Sequence, residues 1–155
     1  MMMNLCFDVL TTLEGKTLVT AESCTGGGIG AALTAIPGSS KVYKGGIISY
    51  CDEVKANLLR VSSDDLNREG VVSGVVAESM AVGAMRNLSA DVAVSVTGLA
   101  GPDGDDFGNP VGTVYIGYAD SNKSLSKKFL FYGNREEIRQ SAIQAALTLI
   151  LEENR

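Results

Sequence analysis

The sequence has 155 residues, 45% of them hydrophobic and 20% charged, with a net charge of −5 and no histidine. A chain of this length is read as one domain, residues 1–155, burying about 70% of its unfolded surface, enough for a core without disulfides or a structural metal. The acidic balance lacks the basic stripe of a duplex-binding protein. The missing histidine removes Ser-His-Asp, Cys-His and His-rich metal chemistry, leaving Lys, Asp, Glu, Tyr or water as general base.

Cys6, Cys24 and Cys51 are odd in number and form no C-x-x-C pair, the pattern of reduced thiols. No apolar run approaches the ~18 residues of a membrane span. Met1-Met2-Met3-Asn4 lacks the basic start of a secretory signal. The expectation is a cytoplasmic protein with neither nucleic acid nor membrane as partner.

In chain order, Leu5, Val9 and Leu13 recur at helical spacing from Met3 to Leu13, and Gly15 supplies a stop. Leu18-Val19-Thr20-Ala21 reads as a buried strand. It enters the turn Glu22 to Gly28, and Ile29 to Ile36 continues as a helix until Pro37-Gly38 ends it. Gly46 to Tyr50 is the next expected strand, followed by a helix over Asp52 to Leu59 with Asp52 as N-cap. Ser63 to Asn67 is a short helix, and Ser73 caps a longer one to Leu88 with Val76, Met80 and Ala84 on one face. Asp91 to Val96 is a strand, followed by a loop from Gly98 to Pro110. Thr113 to Ile116 and Lys128 to Phe131 form an antiparallel pair. Asn134 opens the last helix, and Glu137 completes a capping-box pattern. Ile138, Ala142, Ala145 and Leu149 line one face of it.

Strands alternating with helices imply a three-layer α/β/α domain with a mixed, mainly parallel sheet. Ligand loops in such sheets lie beyond the strand C-termini. Glu22–Gly28, Tyr50–Lys55 and Thr97–Gly104 each follow an expected strand, so a shared edge would make them one pocket.

Ser23 stands on a tight turn before a helix, where backbone N–H groups and the helix dipole stabilise an oxyanion or phosphate. Plain helix capping by Ser23 or Thr25 accounts for the same residues. Lys55 is the leading base in a chain without histidine, provided burial lowers its pKa; its spacing equally describes a solvated lysine. Thr97 to Gly104 is either a loop closing over a ligand or a turn-rich connection. Arg135, in the first turn of a helix, suits an anion, and a surface ion pair with Glu136 or Glu137 competes with that use. Gly15-Lys16-Thr17 is no Walker A motif, because residue 10 is leucine and a strand follows.

Several blocks then follow in one order: Thr20-Ala21-Glu22-Ser23-Cys24-Thr25-Gly26-Gly27, Pro37-Gly38-Ser39-Ser40, Tyr50 with Lys55, Gly98-Leu99-Ala100-Gly101-Pro102, Pro110-Val111-Gly112-Thr113 and Gly133-Asn134-Arg135. In these the chain resembles the CinA C-terminal domain, the nicotinamide-nucleotide amidohydrolase family, from about Leu13 to its end and in a stand-alone form. The resemblance implies hydrolysis of nicotinamide mononucleotide to nicotinate mononucleotide and ammonia, with no metal or cofactor, by a homo-oligomer. It implies Ser23 as nucleophile, Lys55 as base and Tyr50 orienting the pair. Cys24, Thr25, Gly26, Gly27, Thr97, Gly98, Gly101 and Arg135 would contact the substrate, with Arg135 on its phosphate. The alternative is a catalytically silent relative that binds a nucleotide or a protein, since the acidic loop around Asp105 adds carboxylates near a phosphate site.

Overall fold

The computed structural model describes all 155 residues. The elements are α1 (Met2–Thr12), β1 (Leu18–Glu22), α2 (Gly28–Thr34), β2 (Tyr43–Ile48), α3 (Asp52–Leu59), α4 (Ser63–Glu69), α5 (Gly74–Asn87), β3 (Val92–Gly98), β4 (Thr113–Asp120), β5 (Ser124–Leu130) and α6 (Arg135–Asn154), with a 3-10 turn at Ser39–Lys41. One five-stranded sheet runs in the order β2-β1-β3-β4-β5. β1 pairs in parallel with β2 and β3, while β3–β4 and β4–β5 are antiparallel. Four strands therefore share one direction and β4 alone runs against them, the mixed sheet expected from the late hairpin.

Side chains alternate across the strands and sort the core into two halves. Leu18, Val92, Val94, Val96, Val114, Ile116 and Tyr118 join Leu33 of α2 and Ile138, Ala146 and Leu147 of α6 on one face. On the other face Val19, Ala21, Ala93 and Ala119 meet Leu59, Val76, Met80 and Ala84 from α3 and α5. The second face is built from smaller residues, so α5 lies close against the sheet, and Ser95 Oγ donates to the carbonyl of Ala77 in α5.

The capping signals at both long helices hold: Ser73 Oγ accepts from Val76 N–H, and Asn134 and Glu137 form a reciprocal capping box. Several boundaries differ from the sequence reading, among them the last hairpin, whose strands are Thr113–Asp120 and Ser124–Leu130 rather than Thr113 to Ile116 and Lys128 to Phe131. β2 begins at Tyr43 rather than Gly46, because this edge strand alternates half-buried and exposed positions instead of forming a continuous apolar run. The N-cap of α3 is Cys51, in extended conformation, so Asp52 is the first helical residue and its carboxylate faces the positive helix end without capping it.

Candidate active site

The parallel pairing of β1 with both neighbours brings the C-terminal ends of β2, β1 and β3 to one edge. Ser23 directly follows β1, and its N–H donates to Val96 O at 3.0 Å, extending the β1–β3 ladder by one rung. The chain then reverses through Gly26 and Gly27, whose φ values of 59° and 97° lie in the left-handed region. What holds this turn is Glu22. Its buried carboxylate folds back under α2 and accepts from Thr25 Oγ1 and Ile29 N at 2.8 Å, Gly30 N at 3.1 Å and Thr20 Oγ1 at 3.2 Å. Helix capping, which the spacing offered to Ser23 or Thr25, thus falls to Glu22, and no side chain caps α2 from its N-cap, Gly27. The same contacts occupy the N–H groups of Ile29 and Gly30 in the first turn of α2, so an anion at this turn would meet the earlier N–H groups instead. Ser23 Oγ is left free to meet another group.

That group is Lys55. Its Nζ lies 3.0 Å from Ser23 Oγ, 2.6 Å from Ser49 O and 3.5 Å from Tyr50 O. The side chain is wholly enclosed, with 0% exposure, and no carboxylate pairs with it. Burial pushes its pKa below the ordinary lysine value, against smaller opposing pulls from Asp52, Cys51 and Cys24. As a neutral amine it would donate to the two carbonyls and aim its lone pair at the Ser23 hydroxyl. Cys24, the adjacent competitor, is held as a thiol: burial raises its pKa to about 11.

The opposite wall comes from the β3–β4 loop and α6. Arg135 Nη1 donates to Gly101 O at 2.6 Å and Nη2 to the Tyr50 hydroxyl at 3.2 Å. Arg139, one turn on, donates from Nε to Cys24 O at 3.0 Å and from Nη2 to Thr25 O at 3.1 Å. In a trans peptide C=O and N–H point opposite ways, so anchoring Cys24 O turns the Thr25 N–H away from Arg139. No backbone carbonyl meets the N–H groups of Cys24 and Thr25, which leaves two donors beside the serine, that of Cys24 next to its own thiol.

Ser23, Cys24, Tyr50, Thr97, Gly98, Gly101 and Arg135 line one cleft of about 400 Å³. Thr25, Gly26 and Gly27 sit behind it as the frame of the turn, and Lys55 reaches it only through Ser23. Tyr50, a residue 63% exposed, meets Lys55 through its carbonyl, while its phenol turns to Arg135 at the mouth. The Thr97 hydroxyl is engaged with Val71 O at 3.0 Å. Asp105 accepts from Phe107 N, Asn109 N and Asn109 Nδ2 and so folds its own loop, with Asp103 and Asp106 also on the cleft wall. Sequence reasoning assigned no role to Glu22 or Arg139. The acidic residue inside the motif and the i, i+4 arginine pair were the available signals, but their partners lie across the fold.

The model of the CinA C-terminal domain family matches residues 2–154. The chain belongs to the CinA C-terminal domain family. A CinA-like protein of Thermosynechococcus vestitus is 47% identical over 138 residues, covering 87% of this chain and 33% of that protein. Another, from Geotalea uraniireducens, is 48% identical over 125 residues, 81% of this chain and 30% of that protein. The chain thus spans about a third of the length of these CinA-like relatives. Solved CinA-superfamily structures match it almost whole. The competence damage-inducible protein A of Klebsiella pneumoniae has a TM-score of 0.95 at 34% identity, over 98% of this chain and 96% of that one. The competence/damage-inducible protein of Agrobacterium tumefaciens has a TM-score of 0.94 at 37% identity, over 99% and 96%.

Proposed function

We propose that this CinA-family chain is a serine-nucleophile amidohydrolase that converts nicotinamide mononucleotide to nicotinate mononucleotide and ammonia. The observation that carries the reading is the buried lysine, lowered in pKa and without a carboxylate partner, 3.0 Å from a serine hydroxyl. Neutral Lys55 takes the Ser23 proton as Oγ attacks the carboxamide carbon, and the resulting oxyanion is held by the N–H groups of Cys24 and Thr25. The Lys55 ammonium returns the proton to the nitrogen as the C–N bond breaks, and ammonia leaves an acyl ester on Ser23. Water, deprotonated by Lys55, then attacks the ester, and the proton returns to Ser23 as nicotinate mononucleotide departs.

Arg135 supports the phosphate end, since it stands at the cleft mouth on neutral partners only, a carbonyl and a phenol. Homo-oligomerisation belongs to the same proposal and is checked by light scattering. A catalytically silent nucleotide- or protein-binding module is the competing reading, favoured by the carboxylates of Asp103 and Asp106 facing the same cleft as Arg135.

Ammonia release from nicotinamide mononucleotide decides between them. The expected result is turnover by the intact chain, abolished in Ser23→Ala and Lys55→Ala, with Arg135→Ala raising KM more than it lowers kcat. Full activity in Ser23→Ala would remove the nucleophile, and no turnover by the intact chain would favour the binding module.

A further inference from the structure

A second cavity, about 610 Å³ and larger than the catalytic cleft, runs along one face of α5 from Val75 to Asn87, beside the C-terminal end of α3 and the start of β5. Its apolar wall is Leu58, Val75 and Val82, of which Leu58 and Val75 are 50% and 41% exposed. Two guanidinium groups, Arg60 and Arg86, stand on its rim. Neither takes part in an ion pair, in contrast to Arg139 and Arg68, which do. The one carboxylate in the lining, Glu78, is occupied by the Ser124 hydroxyl at 2.6 Å. In a chain of net charge −5, this is a partly apolar hollow whose lining carries two arginines against one glutamate.

Arg60 adds an independent observation. It is the residue that closes α3, with φ of 59° in the left-handed region, and the next N–H, of Val61, returns to Lys55 O at 3.1 Å. That position is where glycine is favoured, and a long side chain there is held at an energetic cost. Strain of this kind is found at functional sites among others, and Ser89, just beyond α5, is the one other non-glycine residue of the chain in this region. At Arg60 the strained position carries a guanidinium to the rim of the cavity.

We propose that this cavity is a second binding site, for a small molecule that joins an anionic group to an apolar or aromatic body. The anion meets Arg60 and Arg86, in charge-assisted hydrogen bonds, and the body lies on Leu58, Val75 and Val82. The site shares no lining residue with the catalytic cleft, so the proposal stands or falls separately from the reaction proposed above.

The test uses the intact chain and 1-anilinonaphthalene-8-sulfonate, an anion on an aromatic body, with N-phenyl-1-naphthylamine as the same body without the charge. The sulfonate is expected to bind at one site, perturbing the amide resonances of Leu58 and Val82, and to bind at least roughly tenfold tighter than the neutral probe. Arg86→Ala and Ser79→Trp, the latter filling the hollow, should each weaken it at least about tenfold. Arg60→Gly provides an opposed pair of readouts: it should raise the melting temperature by relieving the backbone and at the same time weaken binding. Equal affinity for the neutral probe, unchanged binding in these three variants, or resonance shifts centred on Ser23 would each overturn the proposal. So would a dimer in sedimentation that covers this face and binds no sulfonate.

Discussion

Replacing Glu22 by alanine tests the claim that a buried carboxylate, and not the serine, holds the turn that carries Ser23. The carboxylate accepts from two backbone N–H groups and two hydroxyls. Alanine leaves the N–H groups of Ile29 and Gly30 buried without an acceptor, at about 1–3 kcal/mol each. The Thr20 hydroxyl keeps Tyr43 as a partner at 2.8 Å, so it adds little, whereas the Thr25 hydroxyl is stranded. The expected loss is about 3–5 kcal/mol, small enough to leave a domain of typical stability folded but lowering its melting temperature by roughly 10–15 °C. Glutamine should cost less, about 2 kcal/mol, because its oxygen still serves one side while its NH2 faces a donor that cannot turn round. Urea denaturation followed by circular dichroism gives both values. A cycle with Thr25→Val should show a coupling of about 1–2 kcal/mol, since the hydroxyl has nothing to bond once the carboxylate is gone. A Glu22→Ala variant within ~1 kcal/mol of the parent, or strict additivity with Thr25→Val, would refute the reasoning.

Four further outcomes follow from the structure. Burial lowers the Lys55 pKa, so the rate should rise with pH and level off below the ordinary lysine value of about 10.4, and Lys55→Arg, which cannot deprotonate, should lose roughly a thousandfold. The sign for stability is the same: the unfolded chain holds this proton more tightly, so the parent gains stability relative to Lys55→Met as pH climbs from the lowered value to the ordinary one. Iodoacetamide at pH 8 should label exposed Cys51 alone in the folded protein, with buried Cys6 and Cys24 modified only after denaturation, as read by peptide mass mapping. At Gly83 a Cβ would run into the carbonyl oxygen of Leu59, so Gly83→Ala should cost about 1–2 kcal/mol in thermal unfolding despite alanine's better helix propensity.

The sequence made some of this visible and hid the rest for physical reasons. Periodicity and capping chemistry are local, so α1, α5 and α6 could be read from Leu5-Val9-Leu13, Ser73 and the Asn134–Glu137 pair. β2 was placed three residues late because Ile47-Ile48 is apolar while Tyr43 and Lys44, on an edge, are not. Ser23 and Lys55 were legible as a pair, but not the burial of Lys55, because a lysine three residues into an amphipathic helix looks the same whether it faces water or the sheet. Glu22 and Arg139 were illegible for another reason. Each acts by reaching backbone groups, and an N–H or a carbonyl leaves no mark on the sequence that specifies it.

The two arginines of α6 also set an order in time. Ser23, Ser49 and Lys55 belong to the first 55 residues, whereas the clamp on Cys24 O and Thr25 O and the bridge to Tyr50 come from Arg139 and Arg135. On the ribosome the hydroxyl and amine therefore emerge long before the helix that completes their surroundings. A nascent chain halted before residue 135 carries the Ser23 hydroxyl and the Lys55 amine but lacks the arginine contacts to Tyr50, Cys24 and Thr25. Under the proposed reaction, the surroundings of Ser23 are complete only once the last helix has docked.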